Sequence, residues 1–423
     1  MKTPRIVIVG AGFGGLQVAQ SLASSGLDVC LIDRHNYHTF VPLLYQVATS
    51  QLEPEYIAYP IRTILRRFSG KRYQKQPKTR FLWAEVQRID FTAQIVQTDG
   101  CAIAYDFLVL ATGSKTQYLG VTGAAEYAFP IGNLAASVRL RHRILSCLEL
   151  ASQELDPDIR QQLLTFTIVG GGATGVEMAG GVIEMLRGKL RRDYPTLDLQ
   201  SVRLILVQSG DRLLREFPEK LGVYTYKKLT KLGVEIYLKT RVSQVTPASV
   251  YLDNKEVIPS ATVIWTAGSE ANVPQTSQEI PIAKKGKLLV HPTLQLQEHS
   301  NVYAIGDLSH IEPNHIPLSG VAPEALQQGV RVARNIQRQL RGKSPQPFSY
   351  FNKGRLAIIG CYSGVCKIGN FELTGLLPWL MWLAVHLIYL PGYRSRLFVL
   401  LTWLYTYLLG DRAVRLILTI SDI

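Results

Sequence analysis

Short apolar runs followed by clusters of glycine recur along this chain, and one such pattern occurs twice in the same order. Residues 5–9 form an apolar, β-rich run, the cluster Gly10-Ala-Gly-Phe-Gly-Gly15 follows, residues 16–24 carry helical periodicity, and residues 27–33 read as the next strand. Downstream the order returns as strand 165–169, the cluster Gly170-Gly-Gly-Ala-Thr-Gly175, helix 176–190 and strand 202–207. Two copies of strand, glycines, helix and strand predict an α/β fold with two Rossmann-like dinucleotide-binding domains. Two further apolar strands end in small turns, 107–110 before Ala111-Thr-Gly113 and 263–265 before Thr266-Ala-Gly268, and would carry the chain between domains.

The tail is patterned differently. Residues 373–393 contain no charge and are rich in Leu, Trp and Tyr, and after Arg394 and Arg396 a second uncharged run covers residues 397–410. Pro378, Pro391 and Gly392 interrupt the first run, whereas a spanning helix needs about 20 consecutive apolar residues. Amphipathic helices lying in a membrane interface suit this pattern best, with a buried core or dimer helix and a true span as the alternatives. The expected domains are therefore 1–130 and 269–350 for the first dinucleotide-binding domain, 131–268 for the second, and 351–423 for a C-terminal membrane-anchoring region.

Composition narrows the picture. A chain of 423 residues that is 47% apolar can bury two or three domain cores and is too large for a small binding module. A net charge of +14 suits an anionic partner, either a phosphate-rich cofactor, an acidic lipid surface or nucleic acid. Between residues 61 and 80, Arg62, Arg66, Arg67, Lys71, Arg72, Lys75, Lys78 and Arg80 occur without an acidic residue. That stretch reads first as a solvated face and second as an anionic lipid contact. No nucleic-acid-binding motif accompanies it, so nucleic acid is not an expected partner. The five cysteines, Cys30, Cys101, Cys147, Cys361 and Cys366, are scattered, which argues for a reducing compartment and no disulfide framework. The N-terminus leads straight into the first strand, so no cleavable targeting segment is expected. The histidines and cysteines have no metal-ligand spacing, and no metal is required.

The glycine clusters carry the chemistry. Gly10 permits a tight turn, Gly12 lets a pyrophosphate approach the backbone, and Gly15 lets helix and strand pack closely, with Phe13 and Gly14 completing the loop. Asp33, about 20 residues downstream, would bind a ribose diol, with Arg34 beside it. In the second cluster Gly170, Gly172 and Gly175 take the same roles, flanked by Ala173 and Thr174. Its strand, however, runs into Gln208 and Ser209 where an NADH-selective enzyme would carry an acid. A carboxylate there would repel a 2′-phosphate, so neutral Gln208, with Arg203 and Arg212 nearby in sequence, points toward acceptance of NADPH as well as NADH. Two sites imply one resident and one visiting dinucleotide, and a flavin suits the resident because it can take a hydride and pass electrons onward. The strand that ends in Gly306-Asp307 suits the polar middle of an extended FAD. Gly268 ends the matching turn of the second domain.

These residues resemble the type II NAD(P)H:quinone oxidoreductases, single-subunit flavoenzymes of glutathione-reductase-like fold. The resemblance runs over nearly the whole chain, through Gly10 to Gly15, Ala111-Thr112-Gly113, Gly170 to Glu177, Ala304-Ile-Gly-Asp307, Lys353-Gly-Arg-Leu-Ala-Ile-Ile-Gly360, and a tail with Gly375, Trp379, Trp382, His386 and Arg396. It implies non-covalent FAD, NADPH or NADH as co-substrate, and a membrane quinone as acceptor, without proton pumping. It also implies a peripheral, monotopic seat on the cytoplasmic or stromal-type face of a thylakoid or plasma membrane, against anionic lipid, and leaves room for a homodimer. Glu177 matches a glutamate near flavin and nicotinamide in that family, against the alternative of a first-turn acid complementing the helix dipole. Ala325, Gln327 and Gln328 match a segment bordering the flavin ring and the quinone, although Pro323 replaces the family's first Gln. Lys353 would tune the flavin or quinone environment or cap a turn before strand 356–359. Together with Gln208, Pro323 suggests the branch resembling cyanobacterial and plastid enzymes that reduce prenylated naphthoquinones such as demethylphylloquinone. A respiratory NADH dehydrogenase acting on ubiquinone or plastoquinone stays open. So do three rivals: a disulfide reductase, which needs a redox cysteine pair near the first glycine cluster; a sulfide:quinone oxidoreductase; and a flavin sensor without turnover.

Overall fold

Strands that are apolar on both faces need cover on both, which a parallel sheet with flanking helices provides. In the computed structural model, which describes residues 3–68, 79–311, 318, 320–410, 412 and 414–417, the strands beside both glycine clusters lie in such sheets. The chain groups into two units: residues 1–39, 59–115 and 269–352 in the first, and 40–58, 116–268 and 353–423 in the second.

In the first unit the strands are ordered Gln295–Leu296, His299–Ala304, Phe107–Leu110, Arg5–Val9, Asp28–Asp33 and Thr79–Trp83. Arg5–Val9 is central, with Ile8 in parallel register with both Leu31 and Val109. Helices Phe13–Leu22 and Ala322–Leu340 pack against each other. Their approach depends on Gly329, where an added Cβ would stand 2.7 Å from the Gly14 carbonyl oxygen. The first helix starts at Phe13, earlier than expected, because Gly14 and Gly15 belong to its first turn instead of preceding it. Of the basic stretch, Arg62, Arg66 and Arg67 lie on helix Ile61–Phe68 and Arg80 on strand Thr79–Trp83, while Lys71, Arg72, Lys75 and Lys78 lie outside the described residues.

In the second unit five parallel strands run in the order Ala128–Pro130, Thr262–Trp265, Thr165–Val169, Arg203–Gln208 and Val234–Leu238. The helix after the glycines is Ala173–Arg187, again starting inside the cluster, and residues 189–192 form a separate turn of 3₁₀ helix. The unit also contains the short helix Leu44–Ala48, from a stretch that the sequence pattern assigned to the first domain, and the whole described tail. The tail opens with an antiparallel meander, Arg355–Ile358, Gly364–Ile368 and Phe371–Gly375, so the first apolar run begins as a strand and not as a helix.

Two helices follow, Leu376–Tyr389 and Tyr393–Leu409. Pro378 is harmless in the first turn, where backbone N–H groups have no intrahelical partner, while Pro391 and Gly392 (φ +85°) make the break. Arg396 fastens the corner by donating to the Ile388 and Leu390 carbonyl oxygens at 2.7 and 2.9 Å. Both helices are largely apolar, with Arg394 and Arg396 confined to the first turn of the second, and both are two-faced in environment. Trp379, Trp382, Val399 and Trp403 are buried, whereas Ile388, Tyr393 and Leu408 are 66%, 83% and 76% exposed. Among the described residues no helix is long and apolar enough to cross a membrane.

Candidate functional site

The two glycine clusters fold into near-identical cradles, one in each unit. Gly10 sits at φ +101° and Gly170 at φ +113°, conformations that favour glycine. A Cβ on Gly15 would lie 1.9 Å from the Gly10 carbonyl oxygen, and one on Gly175 would lie 1.8 Å from that of Gly170. Gly12 and Gly172 are the reverse case, since a Cβ on either would meet nothing within 4 Å. Each of these two glycines is the N-cap of its helix, and neither helix start receives a side-chain cap. Open space in front of a helix N-terminus fits a pyrophosphate, so Gly12 to Gly15 could hold one dinucleotide and Gly172 to Gly175 another.

The equivalence extends to the next strand. Asp33 accepts from the Ala11 N–H at 2.6 Å, and Gln208 accepts from the Gly171 N–H at 2.9 Å through its side-chain oxygen. Residue 208 therefore anchors its glycine loop whether or not it bears a charge. Its exposed neighbour Ser209 is followed by Arg212, which donates to the Arg215 carbonyl oxygen at 3.1 Å, and by Arg215, 3.9 Å from Asp211. Arg203 does not belong with them. It stands at the opposite end of strand Arg203–Gln208 and is bound through two hydrogen bonds, at 2.7 and 2.8 Å, to Glu235, so it cannot serve a phosphate near Gln208. Gly268, at φ +77°, closes against the Gln117 carbonyl oxygen.

The first unit brings its remaining candidates together. The Ser114 hydroxyl donates to Asp307 at 2.7 Å, Thr112 donates to the Asn272 carbonyl oxygen at 2.6 Å, and Gly113 and Gly306 both have positive φ. Ala325 lies 3.5 Å from where a Gly306 Cβ would be, and Ala111 lies against Gly10. Arg34 reaches Glu85 at 3.7 Å. His38, unmarked in the sequence, is buried beside the cradle with Nδ1 2.9 Å from the Ala11 carbonyl oxygen and its ring edge-on to Phe13. Burial lowers its pKa.

Gln327 and Gln328 each hold a backbone segment of the first unit. Gln328 is buried and accepts from the Gly306 N–H at 2.6 Å, which holds the Gly306-Asp307 turn. Gln327 exchanges two hydrogen bonds of 2.9 Å with the Phe351 backbone, which ties down the chain before the tail. Pro323 stands in the first turn of helix Ala322–Leu340, where its missing N–H costs nothing, and Glu324 covers the helix start by accepting from the Gly320 and Val321 N–H groups. Lys353 donates to the Tyr389 hydroxyl at 2.9 Å, joining the segment before the meander to the first tail helix.

Glu177 is the chemically unusual group. It lies in the second turn of helix Ala173–Arg187, so the first-turn dipole reading does not hold. Its carboxyl oxygen accepts from Trp382 Nε1 at 3.1 Å and from the Ile358 N–H at 3.4 Å. Burial pushes its pKa up to about 8, against the opposing pull of those two donors. Trp382 stacks on His386 at 3.8 Å, and burial pushes the His386 pKa down to about 4, so this imidazole is neutral and Nδ1 donates to the Trp382 carbonyl oxygen. Tyr45 packs edge-on to Trp382, and its hydroxyl accepts from Gln46, whose oxygen in turn accepts from Trp403 Nε1 at 2.8 Å. Periodicity could not reveal Tyr45, Gln46 and Trp403 as members of this cluster, because the contacts join segments more than 300 residues apart.

The cysteines do not supply a reductase pair. The Cys361 thiol donates to Glu184 at 3.3 Å, burial pushes its pKa up, and Cys366 is buried in the meander.

The family model described as pyridine nucleotide-disulphide oxidoreductase matches residues 4–335. The type II NADH:quinone oxidoreductase Ndh of Mycobacterium tuberculosis is 36% identical over 434 residues, covering 99% of this chain and 90% of that protein. The structure of NDH2 from Plasmodium falciparum in complex with NADH matches with a TM-score of 0.89 at 20% identity, covering 98% of this chain and 100% of that one. The sulfide:quinone oxidoreductase from Aquifex aeolicus matches with a TM-score of 0.73 at 18% identity, covering 93% and 92%. The two structural likenesses establish the shared fold. The family model and the mycobacterial relative go further: this chain belongs to the pyridine nucleotide-disulphide oxidoreductases and, within them, to the type II NADH:quinone oxidoreductase family of flavin-dependent enzymes.

Proposed function

We propose that this chain oxidises NADH or NADPH at an FAD held by the first cradle and delivers the electrons to a quinone in a membrane. When bound, the flavin supplies a two-electron carrier between nicotinamide and quinone. Gly12 and the helix N-terminus behind it bind the resident pyrophosphate, Asp33 and Asp307 orient the rest of that cofactor, and the second cradle receives the visiting nucleotide. The reading is carried by Glu177, a carboxyl with a pKa of about 8 on the helix that starts at the second cradle, bonded to Trp382 of the tail. A group that is protonated at neutral pH yet near its pKa is suited to move a proton, and forming a quinol consumes two.

Membrane attachment is assigned to the exposed Leu, Ile and Tyr side chains of the tail helices, which lie in the interface and do not span it. The finer part of the reading is that NADPH is accepted, because Gln208 carries no charge to repel a 2′-phosphate while Arg212 and Arg215 follow it. A prenylated naphthoquinone such as demethylphylloquinone, on a thylakoid or plasma membrane, is the matching acceptor. Purified protein in mild detergent, assayed with NADH and NADPH against a short-chain benzoquinone and a naphthoquinone, tests this. Fastest turnover with NADPH and naphthoquinone supports the finer reading, NADH with benzoquinone points to a respiratory dehydrogenase, and no turnover with either donor rejects the proposal.

A further inference from the structure

An extended dinucleotide lies across the C-terminal edge of a parallel sheet, in the crevice outside the strand ends. In the first unit that edge orders three features on successive strands. The strand Arg5–Val9 leads to the pyrophosphate cradle, its neighbour Asp28–Asp33 ends in the ribose-binding carboxylate, and the outermost strand Thr79–Trp83 ends in Trp83. Trp83 is paired in register with Asp33. Registered residues on parallel strands point to the same face, so the indole emerges beside the carboxylate at about 4.8 Å strand spacing.

Trp83 is 67% exposed, while the other four tryptophans are each 5% exposed or less. Its edge is fixed, because Nε1 donates to the Arg34 carbonyl oxygen at 2.8 Å. The Arg34 and Glu85 side chains form a polar rim beside it. An immobilised aromatic face, left open next to a ribose site and one strand beyond it, is placed to receive the base that follows the ribose. We propose that Trp83 stacks on the adenine of FAD, making it a specificity residue that favours FAD over FMN. The proposal rests on the reading that the first cradle holds FAD.

The full-length protein is stripped of flavin and titrated with FAD, with FMN, and with ADP as a competitor, for wild type, Trp83→Phe and Trp83→Leu. Loss of aromatic stacking should weaken FAD and ADP binding by Trp83→Leu about tenfold or more, while Trp83→Phe retains most of the affinity and FMN binding does not change. FAD should also quench an indole emission component that Trp83→Phe lacks. Unchanged FAD affinity in a folded Trp83→Leu protein overturns the proposal. So does a variant that instead loses binding to anionic lipid vesicles, since Trp83 would then be a membrane contact. Gly12→Ala separates the two levels of the argument: if it leaves FAD binding intact, the cradle reading fails, and if it abolishes binding while Trp83→Leu has no effect, the adenine proposal alone fails.

Discussion

Replacing Glu177 with glutamine removes an ionisable group from a site that disfavours its charged form, and the structure sets the size of the effect. The carboxyl has a pKa of about 8 in the folded protein against an ordinary value of 4.5, with burial as the largest cause. At about 1.4 kcal/mol per pH unit, that displacement amounts to an upper bound of about 5 kcal/mol between the protonated and ionised forms. The folded state holds this proton more tightly than the unfolded state. The wild-type protein therefore carries no penalty below the unfolded pKa, loses stability as pH rises between about 4.5 and 8, and holds a constant deficit above that. Glutamine keeps an oxygen for Trp382 and the Ile358 N–H and never ionises. Glu177→Gln should exceed wild type by less than about 1 kcal/mol at pH 5, by about 3 kcal/mol at pH 7, and by up to about 5 kcal/mol at pH 9. Denaturant midpoints of the FAD-loaded proteins across that range measure the difference, which cancels contributions common to both. The variant should also retain its flavin and its reduction by NADH while quinone turnover falls about a hundredfold. A stability difference that does not change with pH, or a carboxyl that infrared titration finds ionising in the ordinary range, would refute the reasoning.

Gln208→Glu should shift the ratio of kcat/KM toward NADH by about tenfold, because a 2′-phosphate would meet a carboxylate, and an unchanged ratio would assign selectivity to other contacts. Gly12→Ala should fold normally, since its Cβ meets nothing within 4 Å, yet be purified with little flavin. Gly15→Ala, whose Cβ would stand 1.9 Å from the Gly10 oxygen, should fail to accumulate as folded protein; equal behaviour of the two would contradict the cradle geometry. Leu408→Glu combined with Ile388→Glu places charge at two well-exposed tail positions and should release the protein from membranes while leaving flavin bound. Co-sedimentation at the wild-type level would remove the assignment of that face. Deleting the tail is a poorer test, because Trp382 covers Glu177 and its loss would expose the buried carboxyl.

The parts of the fold that were legible in sequence are those governed by local patterning. Strands Arg5–Val9, Thr165–Val169 and Phe107–Leu110 match their apolar runs, since continuous hydrophobicity bounded by glycine leaves little choice. Periodicity starts both cradle helices three residues late, because glycine weakens helices in general but here belongs to the first turn, where the preceding backbone approaches too closely for a Cβ. Contacts between distant segments were not legible. Nothing local marks Gln46 as the acceptor for Trp403, Gln327 as a partner for the Phe351 backbone, or Trp382 as the donor to Glu177. Gln208 was legible as a missing charge but not as a loop anchor, because its side-chain oxygen performs the same structural task as that of Asp33.

The most direct test of the account is the amount of NADH oxidised per bound flavin, measured anaerobically with and without a short-chain quinone. The account predicts one equivalent without quinone, as the flavin is reduced and stops, and continuous oxidation until the donor or the quinone is exhausted when quinone is present. A single equivalent in both conditions would contradict it, leaving a flavoprotein that senses reduced nucleotide without passing its electrons on.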